Sequence, residues 1–286
     1  MSRQFFTVRP DSPDWPEDLA TIPSPPKQLH CTGDISILAR PCVAIVGSRN
    51  HSPYGARIAR DLATALASAG ACIVSGMAYG IDAVAHRAAL DAGGLTAAVL
   101  GTGIDVVYPR GNQRLYNDIA DQGVVISEFK PGTVGFNGCF PRRNRIIAGL
   151  SRLTIVIEAG EKSGSLITAT CAAEFGRNVA AVPGEIDSPQ SKGSNQLLRD
   201  GAHVIASIDD ALALASLVSS SQARALPPLG PDEATVWDAV AQYAAASADE
   251  IITRTGWPAG RALAALTQLE IQGLLECSAG GVIARK

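Results

Sequence analysis

Residues 42–55 read Cys-Val-Ala-Ile-Val-Gly-Ser-Arg-Asn-His-Ser-Pro-Tyr-Gly, and this stretch decides the fold. Val43 to Val46 form a continuous apolar run rich in β-branched residues, which predicts a strand buried on both faces of a parallel sheet. Gly47 and Ser48 end it. Pro53 suits the first turn of a helix, having a fixed φ and no N–H to satisfy. Ile58, Ala59, Leu62, Ala63, Leu66 and Ala69 then recur at helical spacing. Strand, tight turn and helix in this order bring backbone N–H groups and a helix N-terminus to one point, a setting for an anion. The turn also carries a guanidinium, so Gly47, Ser48 and Arg49 are read as a phosphodiester site.

The same alternation continues outward. Apolar runs at 72–74, 96–100, 124–127, 153–157, 179–182 and 203–206 alternate with helical patterns near 81–92, 113–121, 143–150, 164–175 and 195–200. This is the pattern of βαβ crossovers, hence an α/β fold with a doubly wound, mostly parallel sheet over 41–216, with ligands at the C-terminal ends of its strands. Upstream, residues 1–40 are proline-rich and lack sustained periodicity. They are expected to form an extended arm on this domain or a mobile tail, with Leu19, Ile22, Leu29 and Ile37 as anchors. Residues 217–231 turn to Ser, Ala, Pro and Gly and read as a linker. A small unit over 232–286 follows, with helices expected at 233–243, 248–255 and 258–273, a strand at 275–277, a Gly280-Gly281 turn and a strand at 282–283. Three helices and a terminal hairpin are the order of a winged helix.

The chain has 286 residues, 47% of them hydrophobic and 5% aromatic, with a formal net charge of −3. Any nucleic-acid surface must therefore be a local concentration of Arg and Lys. Six cysteines (Cys31, Cys42, Cys72, Cys139, Cys171, Cys277) show no CxxC pairing and no neighbouring histidines, so neither zinc nor a disulfide framework is expected. Residues 1–10 lack the apolar core of a signal peptide and no apolar run is long enough to cross a membrane, so the chain reads as cytoplasmic and reduced.

The Gly47 turn is not a dinucleotide fingerprint. G-x-G-x-x-G needs a second glycine where this chain has Arg49, and the second strand ends in Ser75-Gly76 without an acidic ribose ligand. A second segment, Phe140-Pro141-Arg142-Arg143-Asn144-Arg145, places three arginines beside an aromatic ring at a helix entry, which combines phosphate neutralisation with a stacking platform. Helix periodicity prevents the three arginines from facing one way, and at least one is expected to pair with Glu128 or Glu158. Third, Lys162, Ser163, Gly164 and Ser165 put donors at another helix N-terminus, without the spacing of a P-loop. Fourth, Pro183-Gly184 leads into Ser191-Lys192-Gly193-Ser194-Asn195. Four such turns on one sheet edge carry more weight than any one of them.

Catalytic groups are sparse. His30, His51, His86 and His203 lie apart, there is no G-x-S-x-G elbow, and Asp82, Glu128, Glu158 and Glu185 read first as helix caps and arginine partners. In the winged-helix unit, acidic residues at 232, 233, 238, 249, 250, 270 and 276 outnumber basic ones at 254, 261, 285 and 286. The reading helix carries Arg261 against Glu270, which favours protein interaction over duplex reading.

Taken as blocks, these residues resemble the DNA-processing protein A (DprA, also called Smf) family. The blocks are Gly47-Ser-Arg with Ser52-Pro-Tyr-Gly55, Ser75-Gly-Met-Ala-Tyr-Gly-Ile-Asp82, Gly101-Thr-Gly-Ile-Asp-Val-Val-Tyr-Pro109, Ser127-Glu128, Phe140 through Leu150, Ser163 through Ala169, and Pro183-Gly184 with Gly193-Ser-Asn195. The resemblance implies an extended Rossmann-like domain that binds single-stranded DNA, forms a homodimer and loads the RecA recombinase on DNA taken up in natural transformation, with no cofactor or metal. It also implies that Arg49, Arg142, Arg143 and Arg145 contact phosphates, that Phe140 meets a base, and that Lys192 adds a contact. Residues 1–40 are too short for the N-terminal helical domain many members carry, while the C-terminal unit matches a winged helix found in some. The competing reading is a Rossmann-like hydrolase of nucleotides or phosphoribosyl compounds, of the lysine-decarboxylase-like type. That type carries a Pro-Gly-Gly-x-Gly-Thr turn, and this chain has the Gly160–Ser165 loop in its place.

Overall fold

Nine strands form the main sheet: β1 (Phe6–Val8), β2 (Leu29–Gly33), β3 (Cys42–Val46), β4 (Cys72–Ser75), β5 (Leu95–Leu100), β6 (Val124–Ser127), β7 (Leu153–Val156), β8 (Asn178–Ala181) and β9 (His203–Val204). The structure is a computed structural model and describes residues 4–136, 138–217, 229–241, 246–272, 274–277 and 282–285. The strand order is β1-β2-β6-β5-β4-β3-β7-β8-β9. Pairing from β6 through β9 is parallel, while β1 and β2 run antiparallel to their neighbours.

The β-branched run 43–46 is a central strand, buried at every position. Its side chains alternate between two cores: Cys42, Ala44 and Val46 face one, Val43 and Ile45 the other. Fully burying a residue such as Ile45 contributes roughly 1.5–3 kcal/mol. One face is covered by α2 (Pro53–Ser68), α3 (Ile81–Asp91), α4 (Gln113–Gln122) and α8 (Ile208–Leu214). The other carries α1 (Glu17–Ala20), α5 (Cys139–Leu150) and α6 (Gly164–Glu174), and α7 (Lys192–Arg199) packs its leucines toward that core.

The segment before residue 40 enters the sheet itself rather than lying against it. β2 pairs with β6 through His30–Ser127, Cys31–Ile126, Thr32–Val125 and Gly33–Val124, satisfying backbone groups that the β6 edge would otherwise expose. Leu19, Ile22, Leu29 and Ile37 are buried as anticipated. Two helices start earlier than periodicity suggests. α5 begins at Cys139 because Pro141 is tolerated in a first turn, where its missing N–H costs no helical bond, and α7 begins at Lys192.

The chain divides into units 1–222 and 223–286. The second contains α9 (Pro231–Ala241), α10 (Ala248–Thr255) and α11 (Ala259–Ile271), with a sheet ordered β10 (Ala246–Ser247), β12 (Val282–Arg285), β11 (Leu275–Cys277). Ser247 and Glu250 form a capping box that starts α10, and Gly256 (φ 64°) ends it in the left-handed region. Val236, Val240, Ile251, Leu266 and Leu269 form its core. The anticipated linker falls mostly outside the described residues, as does the Gly280-Gly281 turn. Among the described residues no helix is long and apolar enough to cross a membrane.

Candidate nucleic-acid interface

β3 leads to β4 on one side and is flanked by β7 on the other, so the strand order reverses at β3 and a crevice opens at the C-terminal ends of β3 and β7. The Gly47 turn forms its first wall. A Cβ on Gly47 would fall 2.8 Å from Ile81 Cγ1 and 3.0 Å from the Glu158 carbonyl oxygen, so the turn is tight enough to need glycine. Glu158 is only 4% exposed. Its carboxylate accepts the Ser52 N–H at 2.9 Å and the Ser52 hydroxyl, while Ser52 Oγ accepts the Gly55 N–H at 3.0 Å and caps α2. From the other side, Ile81 N–H donates to the Ser48 carbonyl at 3.1 Å, and Gly80 (φ 84°) packs on Ser48 and Arg49. Arg49 thus stands on a backbone anchored from two directions. Its exposed guanidinium has no hydrogen bond or ion pair among the described residues and lies 5.6 Å from the Phe140 ring centroid, within cation–π range.

The three arginines of α5 have three different environments. Arg143 is 5% exposed. Its Nη1 donates to the carbonyls of Gly76 (2.6 Å) and Val99, and its Nε to Asn144 Oδ1 at 3.1 Å. Arg142 and Arg145 share one carboxylate: Arg142 Nε reaches Glu128 Oε2 at 2.9 Å and Arg145 Nη2 reaches Glu128 Oε1 at 2.5 Å. Arg145 also donates to the Ser24 carbonyl at 2.5 Å. The expectation that at least one arginine pairs with Glu128 or Glu158 is therefore met twice. Burial sets Arg143 among protein acceptors and Glu128 engages Arg142 and Arg145, so the three arginines expected to contact phosphates differ in what each leaves free. Arg142 remains exposed, also lies 5.5 Å from the Phe129 ring centroid, and is the only one of the two paired arginines left largely in solvent.

Gly47, Ser48, Arg49, Phe140, Arg143, Asn144, Lys162, Ser163, Gly164 and Ser165 line one cavity of about 680 Å³. Asn144 Nδ2 donates to the Gly164 carbonyl at 3.0 Å and fastens α5 to the start of α6. Ser163 caps α6 and its hydroxyl lies 2.8 Å from that of Ser165. Lys162 is exposed, with no partner among the described residues. Arg142, Arg145 and Lys192 do not line the cavity, and Lys192 pairs with Glu161 at 3.4 Å.

Two aromatic residues were not singled out from the sequence. Tyr79 (52% exposed) and Tyr108 (47% exposed) form a smaller recess with Arg49, Phe140 and Arg143. The Tyr108 and Phe140 rings lie 5.3 Å apart at 35°. Both tyrosines sit in quoted blocks, 75–82 and 101–109, but only the folded chain brings 79, 108 and 140 together.

A polar network lies beneath the site. Asp82 accepts the N–H groups of Gly76 (3.1 Å) and Ala78 (3.4 Å), with burial pushing its carboxyl up and Arg143 pulling it down. Thr96 Oγ1 donates to the Ile73 carbonyl and so accepts from His86 Nδ1 at 2.7 Å, which fixes that imidazole as the Nδ1–H tautomer. Burial holds the His86 pKa down at about 3. In the second unit, Arg261 on α11 is paired with Asp232 (2.6 and 2.9 Å) and lies 4.1 Å from the Trp257 ring centroid.

Residues 6–216 match the family model for DNA recombination-mediator protein A, and residues 220–281 that for the DprA winged helix domain. A Protein Smf from Synechocystis is 46% identical over 214 residues, 73% of this chain, which spans only about half (53%) of that relative's length. The X-ray structure of DNA processing protein A from Streptococcus pneumoniae superposes with a TM-score of 0.71 at 44% identity, covering 73% of this chain and 74% of that one. The Helicobacter pylori protein, whose structure is described as showing a single-stranded DNA binding mode, superposes with a TM-score of 0.68 at 33% identity, covering 75% of this chain and 96% of that one. The match of residues 6–216 to that family model, on a nine-stranded, mostly parallel sheet followed by a winged helix, places this chain in the DNA-processing protein A (DprA/Smf) family.

Proposed function

We propose that this chain binds single-stranded DNA across the C-terminal edge of its main sheet and passes it to a RecA recombinase during DNA uptake, acting as a homodimer without chemistry of its own. The observation that carries the reading is the convergence of two exposed cations that make no hydrogen bond or ion pair among the described residues, Arg49 and Lys162, with Phe140, Tyr79 and Tyr108 on a cavity and a recess that share Arg49 and Phe140. Phosphate contacts and stacking on rings do not read sequence, so binding tolerates any base, with stacking worth roughly 1–3 kcal/mol per base. Arg49 and Lys162 meet phosphates, Phe140 and the tyrosines meet bases, and Arg142 extends the cationic surface. Gly47, Ser48, Ser163, Gly164 and Ser165 shape the two turns, and Lys192 is a peripheral contact. The single-stranded DNA binding described for the Helicobacter pylori structure supports the DNA part of this reading; the RecA partner, the role in DNA uptake and the homodimer belong to the proposal.

A hydrolase would need a carboxylate released for acid–base work. Glu158 is taken up by Ser52, Asp82 by two backbone amides and Glu128 by two arginines, while Glu185 is exposed and lines neither the cavity nor the aromatic recess, which favours binding over catalysis. The winged helix is read as a protein-docking module, because Arg261, the lone cation of α11, is already engaged by Asp232 and Trp257.

The test uses labelled oligo-dT of graded length, a duplex control and a salt series. Tight, salt-sensitive binding to single strands with weak duplex binding is expected, with log K falling by about 0.7 per phosphate neutralised for each tenfold rise in salt. Equal affinity for duplex, or none for single strands, would send the work to nucleotide-hydrolysis assays. Light scattering reads the dimer, and strand exchange with RecA reads loading.

A further inference from the structure

DNA binding at the crevice leaves the proline-rich segment before residue 40 without a role of its own. Part of that segment walls a second cavity, of about 500 Å³, at the N-terminal ends of β3 and β7 and so at the sheet edge opposite the crevice. Residues 13–18 form one wall, the short 3-10 helix Ile35–Ala39 with Arg40 and Pro41 forms another, and Arg152, just before β7, closes a third side. The volume is that of a small-molecule site. Acids and cations line this cavity without neutralising one another. Asp14, Glu17 and Arg40 are exposed, and their side chains make no hydrogen bond or ion pair among the described residues. Arg152 meets Asp18 at 3.3 Å, but Asp18 is shared with Arg177, also at 3.3 Å, and the Arg152 side chain stays 72% exposed. Opposite charges set around one cavity and left unpaired suit a ligand that carries one charge of each sign.

Trp15 lines the same cavity, is only 8% exposed, and has its indole Nε1 enclosed with no acceptor among the described residues. A buried donor left unpaired is costly and uncommon in a folded protein. A carbonyl or carboxylate in the cavity would pair with it as the ring turns toward the ligand, while Leu38 and the neighbouring prolines offer an apolar wall. We propose that this cavity is a second binding site, for a short zwitterionic peptide. Its carboxylate meets Arg40 and Arg152, its ammonium meets Asp14 and Glu17, and its backbone and apolar side chains lie against Trp15 and Leu38. The peptide class follows from three demands met together: a charge of each sign, an acceptor between them and an apolar body. The site shares no lining residue with the crevice, so it is independent of the DNA reading.

The experiment titrates the isotope-labelled full chain with the dipeptide leucyl-leucine, with its N-acetylated form and with its C-terminal amide, and follows the tryptophan indole N–H resonances by NMR. The Trp15 resonance is assigned by its loss in Trp15→Phe or, should that variant fail to fold, by elimination with Trp237→Phe and Trp257→Phe. The zwitterion should move the Trp15 resonance saturably and bind at least about tenfold more tightly than either derivative, since each derivative forfeits one charge-assisted contact. Arg40→Ala and Glu17→Ala alter exposed side chains, so each should weaken the zwitterion about tenfold without changing the circular dichroism spectrum. A Trp15 resonance that stays in place at millimolar dipeptide would overturn the proposal. So would equal binding of the three compounds, or zwitterion binding that survives both alanine variants undiminished.

Discussion

Arg49 and Arg145 are both arginines beside the crevice, yet the structure assigns them opposite fates, and replacing each with alanine separates them. Arg49 has no acid partner among the described residues, so a phosphate would gain its full charge-assisted contact, worth about 1.5–3 kcal/mol or roughly 10- to 150-fold in affinity. Losing one neutralised phosphate also lowers the slope of log K against log salt by about 0.7, so the deficit of Arg49→Ala should shrink about 2.6-fold between 50 and 200 mM salt. Arg145 is committed to Glu128 and the Ser24 carbonyl. Arg145→Ala should leave the slope unchanged and instead lower stability by about 1–3 kcal/mol, because the Glu128 carboxylate loses one of its two ion-pair partners and the Ser24 carbonyl its donor. Fluorescence anisotropy with oligo-dT at four salt concentrations measures the slopes, and urea unfolding measures the stabilities. A slope that falls equally in both variants, or that survives Arg49→Ala, would refute the division between free and committed arginines.

Three further outcomes follow from the same contacts. Glu158→Gln replaces the carboxylate that holds Ser52, so the urea midpoint should drop by an amount corresponding to about 1–3 kcal/mol, and oligo-dT affinity should fall with it because the Arg49 turn loosens. Gly76→Ala drives a methyl to within 2.5 Å of the Arg143 guanidinium, and overpacking of this kind costs typically about 1–3 kcal/mol, read as a lower melting temperature. His86 is buried and neutral, with its pKa lowered from 6.5 to about 3. Between these values the unfolded chain binds the proton and the folded chain does not, so stability is lost as pH falls from 6.5 toward 3, by up to about 1.4 kcal/mol per pH unit. His86→Gln should remove close to one proton from that dependence; an unchanged unfolding free energy profile from pH 6.5 to 4.5 would show the histidine does not cause it.

Local sequence determined a good deal of this protein. The run 43–46, the Gly47 turn and the Pro53 helix form within a dozen residues, because β-branched apolar runs, glycine turns and helix-entry prolines act on their immediate neighbours. Successive repeats of that pattern give the parallel sheet, and the glycine turns at the strand ends mark its functional edge. The tertiary structure alone decided the rest. β2 is five residues in a proline-rich segment, and it becomes a strand because β1 on one side and the β6 edge, some 95 residues downstream, on the other supply its hydrogen bonds. Arg142, Arg143 and Arg145 are chemically alike and adjacent in sequence. Which of them is buried, which is tied to the N-terminal segment and which stays in solvent depends on Gly76, Val99, Ser24 and Glu128, all distant in the chain. The Tyr79–Tyr108–Phe140 grouping is likewise a product of three separate turns meeting at one sheet edge. Periodicity reports the face a residue occupies; the partner that meets it there is set by long-range packing, and in this molecule that packing determines which cations remain available for a phosphate.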